Sequence, residues 1–128
     1  MFQLTDDYLA AFIDGEGSFT IGKQRHKFYF RVAICNTNLK ILELIQEKYG
    51  GYLREMKVRK KCKRFWSLDW TGQKAIDLSK LLKDKLFIKR QQAEIMSGIL
   101  LVGSGNDLSD VHVEQRNLAR QMMTALNN

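Results

Sequence analysis

The chain contains no proline and only two cysteines in 128 residues, and each shortage excludes something. Without proline there are no Pro-rich linkers, so ordinary helices and strands are expected. Cys35 and Cys62 stand alone, with no Cys-x-x-Cys pair, and are expected as reduced thiols of an intracellular protein. The two histidines, His26 and His112, are far apart and have no cysteine near them, which argues against a zinc centre. Long apolar runs are missing as well. The longest, Ile99-Leu100-Leu101-Val102, falls far short of the roughly 20 residues that a membrane helix needs. The opening residues include Asp6 and Asp7 where an export signal would be basic. Nothing points to a membrane or a small-molecule substrate.

What is present is enough apolar material to fold and a marked excess of cations. Hydrophobic residues make up 45% of the chain, the formal net charge is +7 and the sequence pI is about 9.5. That balance fits one domain, residues 1–128, with a polyanionic partner, because neutralised phosphates release their counterions. Charge alone fits a plain basic structural protein equally well.

Hydrophobic spacing predicts the order α-β-β-α-β-β-α-α-α, an α+β domain. Thr5 is placed to cap a helix over residues 6 to 14, with Leu9, Phe12 and Ile13 on one face and Gly15 and Gly17 stopping it. Residues 18 to 24 and 27 to 35 alternate as a hairpin. Phe19, Ile21, Phe28, Phe30, Val32 and Ile34 fall on the inner face. Thr20, Gly22, Gln24, Lys27, Tyr29 and Arg31 fall on the outer one. Asn36 or Thr37 caps a second helix that ends at Gly50-Gly51. A second hairpin runs from Tyr52 to Val58 and from Lys63 to Trp70, joined by the most basic stretch of the chain. Thr71 opens a third helix with Ile76, Leu78, Leu81 and Leu82, and a fourth runs from Lys89 to Val102. Gly103-Ser104-Gly105-Asn106 breaks that helix, and Ser109 caps a last one carrying Val111, Leu118, Met122 and Leu126. Trp66, Trp70 and the Met122-Met123 region are expected in the core.

The stretch with the most chemistry is Leu9-Ala10-Ala11-Phe12-Ile13-Asp14-Gly15-Glu16-Gly17. A helix ends there by presenting an acid, and small residues let another backbone come close. Two such helices packed side by side bring two Glu16 carboxylates together, and with freed backbone carbonyls these make a hard-oxygen site suited to Mg²⁺. Divalent metals so held activate water and stabilise the leaving oxygen in phosphodiester cleavage. One chain alone supplies too few acids.

This nonapeptide, followed by Ser18-Phe19, resembles the signature of the LAGLIDADG homing endonucleases. Phe30-Arg31-Val32 leading into Asn36-Thr37-Asn38, then Gly50-Gly51-Tyr52 and Lys89-Arg90-Gln91-Gln92-Ala93, look like further segments of the family. The resemblance implies an αββαββα fold whose four-stranded antiparallel sheet forms a saddle on double-stranded DNA, with extra C-terminal helices. It implies Glu16 as the metal-binding acid, the Gly15 carbonyl as a second ligand, and Lys89 near the scissile phosphate as a second catalytic group. Asp14 takes a supporting role at the motif helix end. Leu9, Ala10, Ala11, Phe12 and Asp14 are the implied dimer contacts, with Ala11 standing where glycine is usual. A glutamine that some members use to orient water has no counterpart here, since Ile34 and Cys35 occupy that neighbourhood.

Only one motif is present, and the nearest second candidate, at residues 100–106, lacks an acid at the needed position. The resemblance therefore implies an intron-encoded homodimer cutting both strands of a long, near-palindromic site and leaving 3′ overhangs. On the saddle, Gln24, Arg31 and Arg54 suit base edges, with Thr20, Tyr29 and Met56 flanking. Lys57, Arg59, Lys60, Lys61 and Lys63 suit phosphates. The alternative from another class is a catalytically silent relative using the same saddle, such as an intron maturase or a DNA-binding regulator.

Overall fold

Thr5 does begin the first helix: its Oγ1 accepts from the Tyr8 amide at 3.1 Å, and α1 runs over Asp6–Glu16. The chain, here a computed structural model, is described over residues 2–25, 27–56, 63–99 and 110–127. Two strands follow α1, β1 (Gly17–Gln24) and β2 (Lys27–Asn36), then α2 (Leu39–Tyr49), β3 (Tyr52–Glu55) and β4 (Trp66–Thr71). Three helices close the fold, α3 (Gln73–Leu82), α4 (Arg90–Ser97) and α5 (Asp110–Asn127). The sheet is antiparallel with the order β1-β2-β4-β3, so β4 lies between β2 and β3.

Alternation decides which side of the sheet is dry. Phe19, Ile21, Phe30, Val32, Ile34, Leu68 and Trp70 are buried on the inner face together with Leu9 and Ile13 of α1, Leu42 and Ile45 of α2 and Ile76 and Leu82 of α3. Trp70 is the largest fully buried side chain, and its indole N–H donates to the Tyr49 carbonyl at 3.1 Å, which pins β4 to the end of α2. Truncating such a residue to alanine costs about 3–5 kcal/mol.

Several boundaries differ from the sequence expectation. The cap of α2 is Asn38, whose Oδ1 accepts from the Ile41 amide; Asn36 ends β2 and accepts from the Asn38 amide. Thr71 ends β4 instead of opening a helix, because Gly72, at φ 59°, makes the turn. In α3 Leu81 is 47% exposed, while Ala75 and Ser79 take the inner face with Ile76, Leu78 and Leu82. In α5 the expected apolar row turns outward, with Leu118, Met122 and Leu126 exposed. Arg116, Ala119 and Met123 pack inward, and the Arg116 guanidinium lies over the Phe30 ring. Burial lowers the pKa of that guanidinium from its ordinary value. A row of three large apolar residues is the wrong guide here, because the face turned to the core carries an arginine stem over Phe30 with Ala119 and Met123 packed against the cluster. Met123 is buried as expected and Met122 is not. The expected breaks and caps at residues 103–109, and Lys57, Arg59, Lys60 and Lys61, lie outside the described residues. Among the described residues no helix is long and apolar enough to cross a membrane.

Candidate active site and nucleic-acid interface

The end of α1 is built differently from a glycine stop. The helix continues through Gly15 and Glu16, and Gly17 leaves it in an extended conformation with φ −90°. Gly17 is needed for space: a Cβ there would lie 2.8 Å from Ile13 Cγ2 and 2.9 Å from the Ile13 carbonyl. Gly15 and Glu16 are exposed, and the Glu16 carboxylate has no hydrogen bond or ion pair among the described residues.

Asp14 points back toward the start of α4. Its Oδ2 accepts from the Phe87 amide at 2.8 Å and its Oδ1 from the Lys89 amide at 3.0 Å. The Lys89 ammonium in turn donates to the Ile13 carbonyl at 3.2 Å and to the Asp14 carbonyl at 2.9 Å. Carbonyls of a last helical turn have no helical partner, and a cation there also meets the negative end of the helix dipole. Lys89 thus caps the helix end at the Asp14 carbonyl and shares the Ile13 carbonyl with the Gly17 amide; the Gly15 carbonyl lies next in the chain, beside Glu16. Lys89 and Glu16, 73 positions apart in the chain, are gathered at one helix end. Among the described residues no group of three His, Cys, Asp or Glu side chains could hold a metal within this chain.

Of the expected dimer contacts, Leu9 and Ala10 have no exposed surface and belong to the chain's own core, because they share the α1 face with Ile13. Ala11 is exposed, and Phe12 and Asp14 are half-buried. Beside them lies an aromatic strip that the sequence reading missed. Phe2 meets Tyr8 edge-on at 4.8 Å between centroids, and Tyr8 stacks toward Phe12 at 6.2 Å. Phe87 and Ile88, tied to α1 through Asp14, are 90% and 68% exposed.

The outer face of the sheet collects the residues expected to face DNA. Register pairs Thr20 with Arg31, Gly22 with Tyr29 and Gln24 with Lys27 on the first hairpin. Arg54 comes from β3, and Met56, whose amide donates to the Phe65 carbonyl, follows it; Lys63 is exposed. Tyr29 lies across Gly22 so closely that a Cβ there would be 1.8 Å from Cζ of the ring. Glycine at 22 is what lets the aromatic ring lie flat on the strand.

One carboxylate stands at the centre of this face. Asp69 accepts from Arg31 Nη2 at 3.2 Å through Oδ1 and forms an ion pair with Arg54 Nη2 at 3.3 Å through Oδ2, and the Ser67 hydroxyl also donates to Oδ1. The sequence reading placed neither Asp69 nor Ser67 in the site. The signal was there in Trp66-Ser67-Leu68-Asp69-Trp70-Thr71, where polar and apolar residues alternate through β4.

A family model described as LAGLIDADG endonuclease matches residues 9–92. No curated protein matches the chain. Among solved structures, the archaeal intron-encoded homing endonuclease I-Vdi141I, complexed with DNA, is 19% identical. It has a TM-score of 0.76 over 96% of this chain and 84% of that one. The homing endonuclease I-TnaI is 18% identical, with a TM-score of 0.75 over 98% and 95% of the two chains. I-CvuI, in complex with a DNA target in the presence of Mg, is 19% identical with a TM-score of 0.74 over 94% and 80%. At these identities the structures show the shared fold, and the family match spans the α1 signature, both hairpins and the Lys89 segment. The chain belongs to the LAGLIDADG endonuclease family.

Proposed function

We propose that two copies of this chain pair through α1 and cut both strands of a long, partly symmetric DNA duplex by metal-dependent hydrolysis. The observation that carries this reading is the helix end itself: an exposed, unpartnered Glu16, the adjoining Gly15 carbonyl and the Lys89 ammonium stand where α1 passes into the saddle. Family membership and DNA-bound relatives such as I-Vdi141I support the saddle as the duplex-binding surface.

Glu16 and the Gly15 carbonyl are hard oxygen donors and fit a divalent cation such as Mg²⁺, although one chain offers only half a binding set. When bound, the cation would supply water activation and neutralise charge on the leaving oxygen. Lys89 contributes a fixed positive charge where a phosphate lying over the helix end would accumulate negative charge. Asp14 holds the Lys89 amide, so the ammonium starts from a set backbone position. The incomplete donor set is itself the reason for pairing. Ala11, Phe12, the Phe2-Tyr8 strip and the exposed Phe87-Ile88 tip offer a second copy an apolar surface around α1. Gln24, Arg31 and Arg54 then read base edges, with Thr20, Gly22, Tyr29 and Met56 shaping the surface between them. Lys27, Lys63 and the basic stretch at residues 57–61 hold phosphates.

The test is a supercoiled plasmid library carrying candidate sites, incubated with and without Mg²⁺. Unaltered protein should cut in its presence only, and Glu16→Gln should bind the selected site but leave it whole. Cutting by Glu16→Gln overturns the catalytic assignment. Selective binding without cutting by the unaltered chain favours the silent nucleic-acid-binding reading instead.

A further inference from the structure

An acid in the middle of a surface meant for a polyanion weakens attraction to every phosphate above it. Asp69 is nonetheless there, 8% exposed, on the central strand β4 and on the outer face of the sheet. Its two oxygens are divided, one to Arg31 of β2 and one to Arg54 of β3, and the Ser67 hydroxyl fixes the carboxylate from its own strand. The arginines keep much of their surface, 34% and 42% of their side chains, so the ties hold them without hiding them.

From this geometry we infer that Asp69 is a specificity-determining positioning residue, which sets Arg31 and Arg54 as a matched pair of donors for guanine edges before DNA arrives. The inference rests on the DNA-reading proposal above. An arginine side chain has many rotamers to lose on binding, and a guanidinium already held by one nitrogen has fewer left to lose on meeting a base. Nη2 is the nitrogen each guanidinium turns to the carboxylate, and both side chains stay partly exposed, so donors on the rest of each group are left for a ligand. A guanidinium offers such donors to the two acceptors, O6 and N7, that guanine shows in the major groove. Strands β2 and β3 are two strand spacings apart, about 10 Å, which places the two readings within about three base pairs of each other. The same carboxylate discourages the pair from sliding onto phosphates, so it exchanges general affinity for selectivity.

The experiment uses a random duplex library. Base-preference profiles and salt dependence are measured for the unaltered chain, Asp69→Asn, Arg31→Ala and Arg54→Ala, with thermal unfolding of each. Each arginine variant should flatten the preference for guanine at one position, and the two positions should lie within about three base pairs. Asp69→Asn should flatten both, by roughly tenfold in discrimination. It should bind unrelated DNA no worse than the parent, with a salt slope steeper by about one unit as freed arginines reach phosphates. A purely structural role predicts a lowered Tm and a uniform loss over all sequences, and that outcome overturns the inference. So does an Asp69→Asn profile identical to the parent's. If Asp69→Asn does not fold, the arginine variants decide, and failure of either to alter a guanine preference overturns it. An unaltered chain with no base preference at all instead overturns the DNA-reading proposal, and this inference with it.

Discussion

Replacing Gly22 by alanine asks what one methyl group does to the outer face of the sheet. The new Cβ would stand 1.8 Å from Cζ and 2.1 Å from the hydroxyl oxygen of Tyr29, while ordinary contact begins at 3.4 Å. The ring therefore retreats by about 1.6 Å, the difference between contact and clash. It has somewhere to go, since Tyr29 is 50% exposed and swings toward solvent. A buried aromatic covers about 150–250 Å², so the half-covered ring has about 100 Å² at stake, worth at most about 2.5 kcal/mol. Alanine recovers about 0.5–1 kcal/mol of the cost of glycine in a strand, and the ring keeps part of its contact. The net loss is about 1 kcal/mol, or a fall in Tm of roughly 4 °C for a domain of this size. Thermal unfolding followed by circular dichroism measures it, and library selection reads the change in base preference beneath Tyr29. The coupling is checked by the double variant: with Tyr29→Ala already made, Gly22→Ala should no longer destabilise. A single variant matching the parent in both Tm and base profile would refute the reasoning.

Three further outcomes follow from other positions. Asp14→Asn turns one acceptor into a donor facing a backbone N–H, so it should cost about 1.5–3 kcal/mol in urea unfolding and speed amide exchange at Phe87 and Lys89. Gly51→Ala meets a harder surface: φ is +105° and the Cβ would press on Leu68 Cδ1 at 3.0 Å and on Trp70 at 3.2 Å, both in the core. It should cost about 2–4 kcal/mol, more than Gly22→Ala, and an equal or smaller loss refutes the contrast. Burial, then the hydrogen bond to Asp6 and its charge, push the Tyr49 phenol up to about 12 from 10.0. Because the folded pKa is the higher one, its contribution is whole below about pH 10 and is lost as pH rises toward 12. Phenolate absorbance should show one late-titrating tyrosine that disappears in Tyr49→Phe.

The two faces of the first hairpin were legible because alternation from Phe19 to Ile34 is nearly unbroken and one side must be dry. The cap at Thr5 and the Gly50-Gly51 stop were equally local and equally readable. What escaped depended on neighbours the sequence does not name. Leu118, Met122 and Leu126 form a good helical row, yet Arg116 lies over Phe30 and Ala119 and Met123 pack on the core. Leu9 and Ala10 sit in the motif, but whether they face another helix or their own sheet is a question of packing angle. Arg31 and Arg54 share Asp69 only because β4 enters the sheet between β2 and β3. Glu16 and Lys89 were named from the resemblance, whereas the hydrogen bonds that join their elements could be seen only in three dimensions.

The two amide bonds to Asp14 have a mechanical consequence. They fasten the 87–89 turn to the first helix, and the Lys89 ammonium returns two bonds to the same helix. Whatever tilts that helix, a docking subunit or a bending duplex, carries the lysine along with the glutamate. The turn that bears the cation therefore keeps its register on the helix that bears the acid.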